Sequence, residues 1–398
     1  MIQSPLFWLI LLISVIVFWQ IPQRLRFGFL ALVSYVYLAS LELVGVSIVI
    51  AWVLLFFYVS PSALAEKRYS ALVIYGLVAS ILGYLIYQKY LPTIVSLLKL
   101  EIAAHTFVAP LGVSYFTFKL IHYAIEVTRG NIKDRSLSKF FCYIFLFPIF
   151  TAGPIERFDH FNANIETKWQ LHSSVVGLTR ISHGLAKLTV LAFVRAARHQ
   201  FIGTLIPASF VELRAELSTL DSYQVWGFVI FAYIYAYLDF SAYSDIAIGG
   251  SRLFGITVME NFNFPIVAKN IADFWRRWHM TLANFCQSYV YIPIIGHTRN
   301  PYYAAYGTFI AMGLWHGASP SWLMWGLYHA SGVSFYLTWS RIKRKLKIRK
   351  KNSRPLSYLG IAITSIFVSG SYCFSSTGNS GKHSIRVFLK LFGIDVEF

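Results

Sequence analysis

Long apolar runs recur from one end of the chain to the other, separated by short polar breaks. A helix needs about 20 apolar residues to cross the hydrocarbon layer of a bilayer, somewhat fewer where neighbouring helices cover its ends. Runs of that order fall at roughly 5–20, 27–40, 43–60, 69–88, 138–152, 174–194, 223–240, 301–317, 321–340 and 356–374. The stretch 105–128 is too mixed for a lipid-facing helix and reads as buried or re-entrant. The pattern predicts an all-α polytopic membrane protein of about 10–11 transmembrane helices plus re-entrant or interfacial helices. No aqueous boundary interrupts the runs, so 1–398 reads as one membrane-embedded domain. Within it, N-terminal helices occupy 1–100, a core 105–340, a basic loop 341–354, and a last helix and tail 355–398.

Composition agrees with the pattern. Hydrophobic residues make up 57% of the chain and charged residues only 13%, where a soluble domain carries about 25%. Aromatic residues reach 18%, as suits interfacial belts and lipid-facing helices. The first segment, "MIQSPLFWLILLISVIVFWQ", lacks a basic leader region and an A-x-A site, so it reads as an uncleaved first span.

Charge adds orientation. The net charge is +18, and the densest basic run, Arg341–Arg354, contains no acidic residue. In an apolar chain this reads as a cytoplasmic, headgroup-facing loop rather than a nucleic-acid patch. Arg24 and Arg26 follow the first span and Lys67 and Arg68 the third, which places the N-terminus outside. Cys142, Cys286 and Cys373 are far apart and match no disulfide framework or zinc spacing.

The membrane pattern is broken over residues 239–300, where Asp239, Asp245, Arg252, Asp273, Arg276, Arg277 and His279 gather between apolar runs. Polar side chains at membrane depth survive when buried in protein or lining a wet cavity, and they mark function. In "DFWRRWHMTL" helical spacing puts Trp275, Trp278 and His279 on one face and Arg276 and Arg277 on another. That arrangement suits indoles and an imidazole lining a cavity, with guanidinium groups reaching headgroups or cofactor phosphates. It equally suits a plain amphipathic anchor. Asp239 and Asp245, six residues apart around Ser241 and Ser244, share no helical face and are expected to cap and bend a helix, or to serve an ion relay.

"MGLWHG" is the sharper signal. His316 and its neighbour Trp315 lie within Tyr303–Gly317, which contains no charged residue, and Gly313, Gly317 and Ala318 permit close approach of another helix or a substrate. An imidazole with a pKa near 6.5 can take a proton from a hydroxyl at neutral pH. The bland alternative is a core histidine satisfied by a carbonyl. His329, 13 residues on, falls on a different face of an unbroken helix and reads as structural or supporting. His105 and His122 read as core residues, His183 as helix interior, and His160, His172, His199, His297 and His383 as loop residues. No HExxH, GxGxxG, P-loop or GxSxG motif is present, and no metal site is indicated.

Six segments in order resemble the membrane-bound O-acyltransferase family, in the bacterial branch that includes polysaccharide O-acetylating and teichoic-acid D-alanylating members. They are "PLGVSYFTFKLIHYAIEVTRG" (Pro110–Gly130, with Glu126 where Asp is usual), "FLFPIFTAGPIERF" (Phe145–Phe158), "DFSAYSDIAIGGSRLFGI", "DFWRRWHMTL", "YVYIPI" and "MGLWHGASPSWLMWGLYHA". The resemblance implies helices around a central tunnel, His316 as catalytic base and His279 as a second histidine needed for activity. It further implies a cytoplasmic acyl thioester as donor, either acetyl-CoA or a carrier-protein phosphopantetheine, with no permanently bound cofactor. The implied acceptor is a hydroxyl of an extracytoplasmic polysaccharide, reached directly or through a periplasmic or extracellular partner acyltransferase. Acetyl is favoured over D-alanyl. Gln287 and Ser288 stand where an Arg-Asp pair is usual, which bears on acceptor and partner. A transporter using Asp239 and Asp245, and a scaffold active only with a partner, are the competing classes.

Overall fold

The computed structural model describes residues 2–61, 70–97, 110–197, 207, 209–347, 353–375 and 380–396. Lys67, Arg68, His105, His199 and the 348–352 part of the basic run lie outside them. Among the described residues all regular structure is helical, with one isolated bridge between Ile165 and Ile256. Among the described residues four helices are long and apolar enough to cross a membrane: Gln23–Leu41, Ala71–Val95, Ser222–Leu253 and Arg354–Ser375. Pro5–Gln20 and Leu43–Val59 are shorter apolar helices. On the first of these, Leu6, Leu9, Leu12, Ile13 and Ile16 stand exposed, an arrangement that water penalises and lipid does not.

In chain order the first helices are α1 (Pro5–Gln20), α2 (Gln23–Leu41), α3 (Leu43–Val59), α4 (Ser70–Leu97) and α5 (Val113–Thr128). Then come α6 (Leu137–Phe145), α7 (Phe158–Ala163), α8 (Leu171–Ala197), α9 (Phe210–Ala215) and α10 (Ser222–Leu253). The described residues cluster in two compact units, Met1–Ala186 with Ala242–Glu260, and Lys187–Ser241 with Asn261–Phe398.

In the first unit α5 is buried almost all round, as its mixed sequence predicts. Its Lys119, 1% exposed, donates from Nζ to the carbonyls of Tyr143 (2.9 Å) and Ile144 (3.4 Å). These belong to the last turn of α6, whose carbonyls have no helical partner, so the ammonium closes that helix. The expected span 138–152 is not one helix. α6 stops at Phe145, and Pro148 sits in the 3₁₀ turn Phe147–Ile149, because proline lacks an N–H and turns its predecessor away from helical angles.

α8 and α10 touch backbone to backbone, since a Cβ on Gly249 would lie 2.5 Å from the Gly177 carbonyl oxygen. Beside that crossing Arg180 pairs with Asp245 at 2.9 Å and Glu260 at 2.6 Å. The expected helix cap at Asp239–Asp245 does not form. α10 runs through both positions, Asp245 is taken by Arg180, the Ser241 hydroxyl donates to the Leu238 carbonyl, and Asp239 is exposed. Apolar residues on both sides keep the helix continuous, and its own carbonyls occupy the serine.

The second unit continues with α11 (Ile271–Trp275), α12 (Met280–Cys286), α13 (Ile292–Thr298), α14 (Pro301–His316), α15 (Pro320–Lys345), α16 (Arg354–Gly370), α17 (Tyr372–Ser375) and α18 (Gly381–Lys390). α14 and α15 form a hairpin. Each starts with proline at its first turn and a capping side chain: Asn300 Oδ1 accepts from the Tyr302 N–H, and Ser319 Oγ from the Trp322 N–H. A Cβ on Gly313 would strike the Trp322 carbonyl oxygen, and one on Gly326 the Phe309 carbonyl oxygen. The two helices therefore pack at backbone distance.

Arg180→Gln is expected to leave Asp245 and Glu260 without their cation. The thermal midpoint in detergent should fall by an amount equivalent to about 2–4 kcal/mol, against under about 0.5 kcal/mol for the surface change Arg24→Gln. Equal midpoints for the two variants would contradict the pairing's importance.

Candidate functional site

His316 is the last residue of α14, and its ring is held among indoles. It stacks on Trp322 at 4.6 Å between centroids and 15° between planes. Trp315 and Trp325 meet it at 4.6 and 5.2 Å, edge to face. The ring borders a cavity of about 220 Å³ walled by Phe274, Trp275, Trp278, Trp322, Trp325 and Tyr372, with Ser371, Ser375 and His329 as its other polar residues. Among the described residues no charged side chain lines it. His316 is half-buried, whereas His329 is 1% exposed. A reactant therefore reaches the first imidazole more readily than the second.

His329 lines the cavity with His316. Gly317–Ser319 breaks the helix and folds α15 back on α14, so the 13-residue spacing does not carry the second histidine to a remote face. Its ring lies 4.6 Å from Trp325 and 5.2 Å from Trp275, and its Nδ1 has no hydrogen-bond partner. The break lies between the expected spans 301–317 and 321–340, but nothing local tied it to the pairing of the two histidines.

"DFWRRWHMTL" is not one helix. α11 ends at Trp275, and His279 adopts φ 43° and ψ 52° as the residue before α12. On a continuous helix Trp275, Trp278 and His279 would share a face. The break leaves the two indoles on the His316 cavity and sends His279 elsewhere. His279 is buried, with Nδ1 2.9 Å from Asn261 Oδ1, which also accepts from the Thr281 hydroxyl at 2.9 Å. An acceptor there makes Nδ1 the protonated nitrogen and leaves Nε2 with the lone pair. Its ring lies 6.4 Å from Trp315, which itself contacts His316. Asn261 is the functional neighbour that sequence reasoning missed, because 18 residues separate it from His279.

The two arginines divide. Arg277 donates from Nε to Asp273 at 3.1 Å and from Nη1 to the Asn263 carbonyl at 3.1 Å, so it clamps the turn. Burial by itself raises the Asp273 pKa, but the Lys269 N–H and Arg277 outweigh it and hold the carboxyl below its ordinary range. Arg276 is exposed, 3.6 Å from Asp273. It borders a second cavity of about 230 Å³, with Asn284, Gln287 and Tyr291 among its polar lining and Ala305, Phe309, Met312 and Val333 among its apolar lining. Trp275 is the residue common to both walls. Gln287 opens a π-helical stretch, Gln287–Tyr291, next to α12. Asp245 and Ser241, both sequence candidates, line neither cavity. Among the described residues no group of three histidines, cysteines or carboxylates gathers as a metal site.

A sequence model of the membrane-bound O-acyltransferase family matches residues 25–376, which takes in both cavities. A probable alginate O-acetylase AlgI of Azotobacter vinelandii is 34% identical over 262 residues, 63% of this chain and 48% of the relative. A teichoic acid D-alanyltransferase of Bacillus subtilis is 30% identical over 286 residues, 68% of this chain and 70% of the relative. A peptidoglycan O-acetyltransferase of Helicobacter pylori is 31% identical over 308 residues, 68% of this chain and 56% of the relative. The chain spans about half the length of the alginate O-acetylases it matches. With the match running over most of its length, this chain belongs to the membrane-bound O-acyltransferase family.

Proposed function

We propose that the protein transfers an acyl group, acetyl in the first place, from a cytoplasmic thioester to a hydroxyl of an extracytoplasmic polysaccharide or cell-envelope polymer. The observation that carries the reading is His316, half-buried at a helix end on an uncharged, aromatic-walled cavity. His316 takes the proton of the acceptor hydroxyl as its oxygen attacks the thioester carbonyl. The new C–O bond forms, the C–S bond breaks, and the departing thiolate recovers the proton from the imidazolium. A thioester is already activated, so alignment and one proton transfer suffice. The donor is acetyl-CoA or a carrier-protein phosphopantetheine. His279 acts as a positioning residue behind Trp315.

The protein would lie in the bacterial cytoplasmic membrane with its N-terminus outside, and a periplasmic or extracellular acyltransferase would relay the acyl group where the acceptor is distant. D-alanyl transfer is the second reading, supported by the 70% coverage of the Bacillus subtilis relative. A transport role draws no support from its motivating residues, since Asp245 is paired with Arg180 and Asp239 is exposed.

His316→Ala should lower acceptor acylation by about 10²–10⁴-fold while the protein stays inserted and folded. Mass spectrometry of surface glycans, alongside thioester consumption by purified protein, reads this out, and undiminished acylation would refute the assignment. Asn261→Ala leaves the His279 Nδ1–H and the Thr281 hydroxyl without their acceptor, a cost of about 1–3 kcal/mol. Its kcat should fall by about tenfold to a hundredfold, with Asn261→Asp recovering much of the loss. If both variants keep wild-type kcat, the positioning role is wrong.

A further inference from the structure

We propose that Trp275 sets the upper size limit of the acyl group, a specificity role that rests on the acyl-transfer reading above. The indole stands between two cavities of similar size, about 220 Å³ on the His316 side and about 230 Å³ on the other. It packs against Phe309 at 5.0 Å, His329 at 5.2 Å and Trp325 at 5.9 Å. Its Nε1–H is buried and has no hydrogen-bond partner. Packing, not hydrogen bonding, therefore holds the indole, and a smaller side chain there abandons no acceptor.

An acyl carbonyl poised at His316 must place its tail in the remaining space of the first cavity. A short tail has only the first cavity's volume of about 220 Å³ to fill. A longer one needs the volume beyond Trp275, where Ala305, Phe309, Met312 and Val333 offer an apolar lining fit for methylenes. Trp275 is the wall residue through which the two spaces would join. Its place at the end of α11, where the chain turns, fixes the indole at that boundary.

The test compares purified wild-type, Trp275→Phe, Trp275→Leu and Trp275→Ala proteins with acetyl-, butyryl- and hexanoyl-pantetheine thioesters. The readout is the ratio of kcat/KM for hexanoyl over acetyl, which a general loss of folded protein does not move. The ratio should rise by about tenfold or more in Trp275→Ala, by less in Trp275→Leu, and stay put in Trp275→Phe. Filling the second cavity with Val333→Trp in the Trp275→Ala background should abolish the gain. An unchanged ratio in Trp275→Ala, or a gain that survives Val333→Trp, overturns the proposal. Should Trp275→Ala turn over no thioester, an unreactive hexanoyl ketone analogue of the pantetheine thioester serves as probe. Thermal stabilisation of the variant but not of wild type supports the proposal, and no stabilisation overturns it. A wild-type protein that transfers no acetyl group would instead remove the underlying reading.

Discussion

Backbone contact between α14 and α15 is the constraint on which the site depends. In lipid, apolar side chains gain nothing by leaving hydrocarbon for each other, so helices associate through close packing and polar contacts. Gly313 and Gly326 supply that closeness, each lying where a Cβ would meet a carbonyl oxygen of the facing helix. The turn at Gly317–Ser319 then places His316 and His329 both against Trp325. A side chain at Gly313 would push α15 outward and part the walls of the cavity.

Several buried polar side chains outside the site have specific partners. Lys119 closes a helix end, Arg180 holds two carboxylates, and His279 is fixed by an amide that Thr281 also engages. Unsatisfied buried groups are uncommon in folded proteins and ask for a reason. Two of those present, His329 Nδ1 and Trp275 Nε1, belong to residues that line the His316 cavity. Leaving them unpaired costs stability at the site.

The fold class was legible because spanning helices must be apolar over a set length, and that requirement writes itself along the chain. His316 was legible for the converse reason: a titratable group within an uncharged run is conspicuous. The failures share a cause. Pro148 ends the expected 138–152 span, and the left-handed His279 interrupts the expected helix over Asp273–Leu282. Each break rests on one to three residues that barely alter the hydrophobic period, yet each redirects every side chain after it. Asp245 shows the opposite error: its polarity was visible, but its partner, Arg180, lies on another helix.

The left-handed backbone at His279 links these points. A non-glycine residue at φ 43° is disfavoured by about 1–2 kcal/mol and persists only when its surroundings impose it. Asn261 imposes it here, accepting the imidazole N–H through its side chain and the Met280 N–H through its carbonyl. Without the break, His279 would face the same side as Trp275 and Trp278 and compete with them for the cavity wall. With it, the indoles wall the cavity from one side while the imidazole is held separately behind Trp315. The strain is thus stored where it separates a cavity-wall indole from an imidazole held apart on the adjacent residue, a division that an unstrained helix cannot make.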